Sequence, residues 1–128
     1  MNHWGIPEWL EEEVRKRDRT CVYCGVLLIE RMPQNGPRKA IATWEHIIND
    51  AKIVTRENIA RCCVPCNSSK GTKKLSDWMQ SSYCKNNGIN ERTVADVVKN
   101  ALRTANDNSA QQFAPSNGAA PPLSSSVR

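Results

Sequence analysis

Two short motifs, Cys21-Val-Tyr-Cys24 and Cys63-Val-Pro-Cys66, decide how this chain of 128 residues folds. A Cys-x-x-Cys turn points two thiolates at one ion, and two such turns supply the four ligands of a tetrahedral structural zinc site. The 38 residues between the motifs must then form a folded excursion that the metal closes at its base. The spacing therefore predicts Zn²⁺ bound by Cys21, Cys24, Cys63 and Cys66.

Two further cysteines suit this site less well. Cys62 competes with its neighbour Cys63, but it makes a Cys-x-x-x-Cys spacing to Cys66, so we expect its side chain to point into the core. Cys84 lies far along the chain in a predicted helix and is expected to behave as a small apolar residue.

Length and composition predict one small domain, which we place at residues 1–105. Few aromatic residues are available for its core, which favours stabilisation by a metal. Residues 106–128 are rich in Asn, Ser, Ala, Gln and Pro and nearly uncharged. Such a segment cannot bury enough apolar surface to offset its ordering entropy, so we predict a disordered C-terminal tail.

Charge and hydropathy bear on location and partners. No apolar run typical of a signal peptide precedes Glu11–Glu13, and no segment approaches the ~20 apolar residues of a membrane span. We expect a cytoplasmic protein with no membrane partner, in a reducing compartment where paired Cys-x-x-Cys motifs favour zinc over disulfides. The net charge of +5 and the pI near 9.0 suit a polyanionic partner, but they describe an ordinary basic protein equally well.

Residue patterning predicts a mixed α+β chain. Strands are predicted at Val26–Glu30, Lys39–Ile47 and Ile59–Cys62. A hairpin turn around Asn35-Gly36 is predicted to join the first two. Helices are predicted from Pro7 to about Arg17, from Pro65 to Gly71, over Leu75–Tyr83, and over about 90–105 with Asn90 as N-cap.

One histidine, His46, lies inside the excursion and follows Glu45 on a predicted strand. Taken alone, a Glu-His pair on a strand favours a structural role for the histidine over a catalytic one. Asn58 precedes the next strand, and Asn67 directly follows the last zinc ligand, so fixing Cys66 on zinc also fixes Asn67. We therefore expect the zinc site to place the first turn of a helix against the strand that bears Glu45 and His46.

From about Val14 to Trp78 the order of these motifs resembles the HNH endonuclease family, which has a ββα-metal fold. The shared order is a helix, Cys-x-x-Cys, an acidic-His strand, an Asn before a second strand, and Cys-x-x-Cys-Asn-x-x-Lys-Gly. Two positions depart from the family pattern. Glu45 stands where Asp or His is usual, and the loop at 48–54 lacks the usual Pro and pair of Gly.

The resemblance implies that Glu45 and Asn67 bind a catalytic divalent ion, with His46 as general base and Asn58 holding the catalytic loop. Oxygen ligands favour Mg²⁺ or Mn²⁺, which would act as Lewis acid on the scissile phosphate. His46 would take a proton from water, and the expected products carry 5′-phosphate and 3′-hydroxyl groups. Residues predicted to contact nucleic acid are Lys70, Arg15, Arg17, Arg19, Lys73 and Lys74.

The sequence therefore predicts a metal-dependent endonuclease that cleaves DNA, with double-stranded DNA the first choice of substrate. Two alternatives remain. The chain could be a zinc-knuckle DNA-binding module made inactive by the Glu45 departure, or an accessory factor that docks a protein through its last helix and tail. The arginines at the end of the first helix also complement its dipole, whatever the partner. No separate recognition domain is evident, so specificity is expected to be low or supplied by a protein partner.

Overall fold

The structure is a computed structural model that describes residues 4–30 and 38–113. Within these ranges five helices and two strands form a small mixed α+β unit, as predicted. The elements are α1 (Glu8–Arg17), β1 (Ala42–His46), β2 (Ile59–Cys63), α2 (Val64–Lys70), α3 (Leu75–Met79), α4 (Ser82–Asn86) and α5 (Asp96–Phe113), with a 3₁₀ turn at Arg38–Ala40 before β1.

β1 and β2 pair as an antiparallel ribbon that organises both sides of the molecule. Trp44 lies opposite Arg61, Glu45 opposite Ala60 and His46 opposite Ile59. Every residue of β2 is buried, because α1 covers one face of the ribbon and α2 contacts the other. This ribbon is the surface on which the candidate site is built.

α1 begins after Pro7, whose extended backbone and missing N–H suit the start of a helix. Leu10 and Val14 are one turn apart on its buried face, where they pack with Ile6 and Ile59. A larger core, which includes Tyr23 and Trp78 in edge contact at 4.8 Å, lies across the ribbon. No helix in the described ranges combines the length and the apolar character needed to cross a membrane.

The prediction of a strand at Val26–Glu30 is wrong. Only two isolated bridges occur there, Thr20 with Leu27 and Ile29 with Ile41. The physical reason is that the two bridges join different segments, so no ladder of consecutive pairs forms along the run, and Leu27 remains 67% exposed. The returning strand is also shorter than predicted, since it begins at Ala42. The predicted turn around Asn35-Gly36 lies outside the described residues.

The helices after α2 differ in their bounds from those predicted. The helix expected over Leu75–Tyr83 is divided, because the Ser81 side chain accepts a hydrogen bond from the Cys84 N–H at 3.3 Å and so starts α4. Asn90 heads a turn closed by Thr93 and not a helix. α5 begins at Asp96 and ends at Phe113, so its last turns lie in the segment predicted as tail, and 114–128 lie outside the described residues.

Candidate metal centre and catalytic site

The four predicted zinc ligands meet at one point. The Sγ atoms of Cys21, Cys24, Cys63 and Cys66 all lie within 4.8 Å of one another, and those of Cys24 and Cys63 are 3.7 Å apart. A tetrahedron with Zn–S bonds of about 2.3 Å has edges of about 3.8 Å, whereas a disulfide would need sulfurs about 2 Å apart. The four cysteines could therefore hold a metal ion such as zinc.

Local structure explains why the thiols converge. Cys21 opens a turn in which its Sγ accepts hydrogen bonds from the N–H groups of Tyr23 and Cys24, each at 3.4 Å. Gly25 closes the turn with φ +84°, a conformation that favours glycine. The second pair stands where β2 meets α2, with Cys63 as N-cap and Cys66 in the first helical turn.

The electrostatics of the cluster also fit a cation. Hydrogen bonds from the Cys63 and Cys66 thiols lower the pKa of Cys21, and the pKa values of Cys63 and Cys66 rise because they supply those bonds. A divalent cation at their centre would let all four ionise, which is the charge state that a zinc site requires.

The other cysteines lie as expected. Cys62 is fully buried, and burial followed by the nearby Glu45 charge raises the pKa of its thiol. Its thiol contacts the Thr43 hydroxyl at 3.5 Å, on the α2 side of the ribbon, and it is not among the four clustered thiols. Cys84 is buried in the main core.

Glu45 is 6% exposed and fully engaged on the α2 side of the ribbon. Its Oε2 accepts a hydrogen bond from the Tyr23 hydroxyl at 2.7 Å and pairs with the Lys70 ammonium at 2.9 Å. Burial, and then the Glu45 charge, raise the pKa of Tyr23, so the phenol remains a donor. The carboxylate is therefore buried, and one of its oxygens contacts both the Tyr23 hydroxyl and the Lys70 ammonium.

Asn67 lies on the same side of the ribbon as this carboxylate, one helical turn before Lys70. Its Nδ2 donates to the Thr43 hydroxyl at 2.9 Å and to the Trp44 carbonyl at 3.1 Å. The amide oxygen has no hydrogen bond among the described residues. Asn67 and Lys70 thus present one face of α2 to β1, and Asn67 retains an oxygen that a cation could use.

Asn58 fixes the loop that follows β1. Its Oδ1 accepts from the Ile48 N–H at 2.7 Å, and its Nδ2 donates to the carbonyls of Ile48 and Ile53 at 3.2 and 3.1 Å. The side chain is buried and spans the base of the loop. Asn58 therefore closes the base of this loop, and Asp50 forms the turn within it by accepting the Lys52 N–H at 3.0 Å.

His46 ends β1 at the edge of this loop. Thr43 and Glu45 contact α2, whereas Trp44 contacts Arg15 and Arg61, so by the alternation of a strand His46 leaves on the Trp44 face. Its Nε2 is one of two side-chain N or O atoms in the described part of the chain that are buried without a hydrogen-bond partner. The structure therefore places Glu45 and Asn67 on the same side of β1 and the His46 side chain on the other.

The position of Lys70 differs from the phosphate contact expected of it. Lys70 is fully buried, with its ammonium between the Glu45 carboxylate and the His46 carbonyl oxygen at 3.3 Å. A lysine expected to meet solvent phosphate is thus the counter-ion of the candidate metal ligand. Lys70 faces β1 because the buried Cys66 anchors α2 against the ribbon.

The other predicted nucleic-acid contacts fall into two groups. Arg17 has a structural role, because it pairs with Asp18 at 2.7 Å and donates to the carbonyls of Arg56 and Ile59. Arg15 is half exposed and pairs with Glu30 at 2.7 Å. Three remain exposed with no carboxylate partner in the described part of the chain: Arg19, Lys73 and Lys74.

Sequence reasoning missed Arg61. It is 4% exposed, its Nη1 bonds both Glu30 oxygens at 2.7 and 2.8 Å, and its guanidinium lies 4.8 Å from the centre of the Trp44 ring. The strand pattern alone gives no signal, because an arginine in a short strand ordinarily faces solvent.

Comparison of the chain with protein-family models, with curated proteins and with solved structures found no match.

Proposed function

We propose that this chain is a metal-dependent DNA endonuclease of HNH type, with a structural zinc and a catalytic Mg²⁺ or Mn²⁺. The observation that carries the proposal is the unpartnered, buried Nε2 of His46, one residue from the buried carboxylate of Glu45. A buried imidazole nitrogen without a partner is costly, and such a cost is common where a residue serves chemistry. The motif order from Val14 to Trp78 supports the same proposal.

The proposed catalytic metal site is formed by Glu45 and Asn67. The carboxylate of Glu45 and the unbonded amide oxygen of Asn67 lie on the same side of β1, where hard oxygen ligands suit Mg²⁺ or Mn²⁺. The bound ion would supply Lewis acidity to a phosphate. Lys70 now balances the Glu45 charge, so the ion would enter in exchange for that ammonium.

The proposed general base is His46, which lies next to the loop after β1. Asn58 ties the loop that follows His46 through side-chain contacts with Ile48 and Ile53, and these contacts do not involve the imidazole. His46 would accept a proton from water at its free nitrogen. Because Glu45 and His46 leave the strand on opposite faces, the active arrangement requires the strand end to turn so that both groups meet one phosphate.

The test is nicking of supercoiled plasmid with Mg²⁺ or Mn²⁺ by wild type and by His46→Ala. General-base catalysis is worth roughly 10²–10⁴ in rate, so cleavage should fall by that factor while zinc content and circular dichroism stay native. The matched control is His3→Ala, the chain's other histidine, which should cleave at the wild-type rate. Equal cleavage by His46→Ala and wild type would refute the proposed role of His46.

The Glu45–Lys70 pair favours a second candidate, a zinc-knuckle DNA-binding module without catalysis. A carboxylate already neutralised at 2.9 Å by a buried ammonium gains less from a divalent ion than a free one. This module would retard duplex DNA in a gel shift but leave plasmid uncut in every divalent metal. Cleavage that depends on Mg²⁺ or Mn²⁺ and on His46 excludes it.

A further inference from the structure

The strongest feature outside the candidate catalytic site is a cluster on the α1 face of the ribbon, formed by Arg15, Glu30, Trp44 and Arg61. Both guanidinium groups lie near the Trp44 ring, 5.2 Å from its centre for Arg15 and 4.8 Å for Arg61. Both Nη1 atoms donate to the same Glu30 oxygen, Oε1, at 2.7 and 2.8 Å. Two positive charges therefore converge on one carboxylate.

The bonding of Arg61 is incomplete. Its Nη1 serves both Glu30 oxygens, whereas a guanidinium best binds an oxyanion through two parallel N–H groups. Its Nε is the other buried side-chain atom without a partner in the described residues. A buried arginine with an unused N–H can donate to a further acceptor oxygen, and a phosphate group has more oxygens than a carboxylate.

Glu30 is placed to be displaced. Its side chain is 54% exposed, whereas that of Arg61 is 5% exposed, so the carboxylate covers the guanidinium from the solvent side. Burial acts to raise the pKa of Glu30, but Arg61 and Arg15 together outweigh it and the pKa lies below its usual value. Glu30 is the solvent-exposed partner of both arginines, so a competing anion that arrives from solvent can exchange with it.

We propose that Arg61 and Arg15, held against Trp44, form a phosphate-binding site that Glu30 occupies as an internal competitor and leaves when a phosphate of bound nucleic acid arrives. Glu11, 3.6 Å from Arg15, remains as the second carboxylate of the cluster and limits its net charge. The proposal rests on the nucleic-acid binding proposed above and not on cleavage. It makes Glu30 a regulator of affinity, because its carboxylate must be displaced each time DNA binds.

The chain contains a matched control. Glu13 pairs with Arg56, whose guanidinium lies 5.9 Å from the centre of the Trp9 ring. This exposed arrangement is similar, but only one arginine donates to the carboxylate, and Arg17 acts on it at longer range. Glu30→Gln and Glu13→Gln change the net charge equally. Any difference between the two variants therefore reports the site and not the general electrostatic attraction to DNA.

The experiment measures binding of a short duplex in the His46→Ala background, so that loss of cleavage cannot be confused with loss of binding. Glu30→Gln should bind the duplex about threefold more tightly than Glu13→Gln, a gain within the range for one exposed ion pair. Arg15→Gln should reduce the salt slope of binding by about 0.9 relative to Arg56→Gln, because one phosphate contact is lost.

Two further readings complete the test. Inorganic phosphate is titrated at constant ionic strength while the melting temperature is measured. A larger rise in melting temperature for Glu30→Gln than for Glu13→Gln would support the site and identify free phosphate as a ligand. Arg15→Gln keeps the test decisive if Glu30→Gln fails to fold, since Arg15 is half exposed. Matched behaviour of each variant and its control for both ligands would overturn the proposal and leave Glu30 as a scaffold carboxylate.

Discussion

Replacing Lys70 with Met tests the buried pair that the structure places at the centre of the candidate site. Methionine has a similar length and no charge, so the substitution removes the ammonium from Glu45 with little change in volume. Lys70 is 0% exposed and Glu45 6% exposed, and removing one partner of a buried pair costs about 3–5 kcal/mol. The hydrogen bond to the His46 carbonyl is also lost.

This cost is large for a small domain. About 4–8 °C of melting temperature accompany each kcal/mol in a domain of 60–100 residues, so Lys70→Met should melt at least about 12 °C below wild type. Lys73→Met is the control, because Lys73 is exposed on the next turn and surface substitutions change stability by roughly 0.5 kcal/mol or less. Thermal and urea unfolding, both at fixed zinc concentration, measure the difference.

The double variant Glu45→Gln/Lys70→Met separates charge from packing. A neutral amide keeps the Tyr23 hydrogen bond and removes the uncompensated charge, so it should recover more than half of the lost stability. Added Mg²⁺ should also stabilise Lys70→Met more than wild type if Glu45 then binds the ion. Equal melting temperatures for Lys70→Met and Lys73→Met would refute the buried pair and return Lys70 to the surface role expected from the sequence.

Two other substitutions test the frame of the site. Cys63→Ser should lose zinc by metal analysis and most of its native circular dichroism, because structural zinc supplies ~10–16 kcal/mol of apparent binding energy against a net stability of ~5–15 kcal/mol. Cys62→Ser should keep one zinc per chain. If this variant lost the zinc, Cys62 would have to be counted among the zinc ligands. Asn58→Ala should leave the Ile48 N–H without its partner at a cost of about 1–3 kcal/mol and speed its hydrogen exchange. Unchanged protection at Ile48 would show that the loop does not depend on Asn58.

Local signals explain the parts of the fold that the sequence predicted. The two Cys-x-x-Cys motifs specify their convergence, because each turn brings two sulfurs together within four residues and one ion can join them. Pro7 and the spacing of Leu10 and Val14 likewise predict α1, since a helix is defined by neighbours three and four positions apart. Ile59–Cys63 differs from the predicted strand by a single residue.

The predictions that were wrong depended on contacts between distant segments. An apolar run such as Val26–Glu30 becomes a strand only if a partner lies along it, and here it meets neighbours at single bridges. Whether Lys70 faces a phosphate or Glu45 depends on how α2 is rotated about its axis. The packing of Cys66 fixes that rotation, and no local sequence pattern predicts it. Tertiary packing likewise made Arg61 a buried residue.

The sequence by itself thus determined which residue types are available and where the metal frame closes. Only the tertiary structure decided which charges meet, because a charge pair is formed by side chains that are far apart in the chain and share one face after folding. Glu45 with Lys70 and Arg61 with Glu30 are 25 and 31 positions apart in the sequence. The energies of these ion pairs depend on how deeply the side chains are buried. Burial cannot be read from the order of residues, because it results from the packing of the helices against the ribbon.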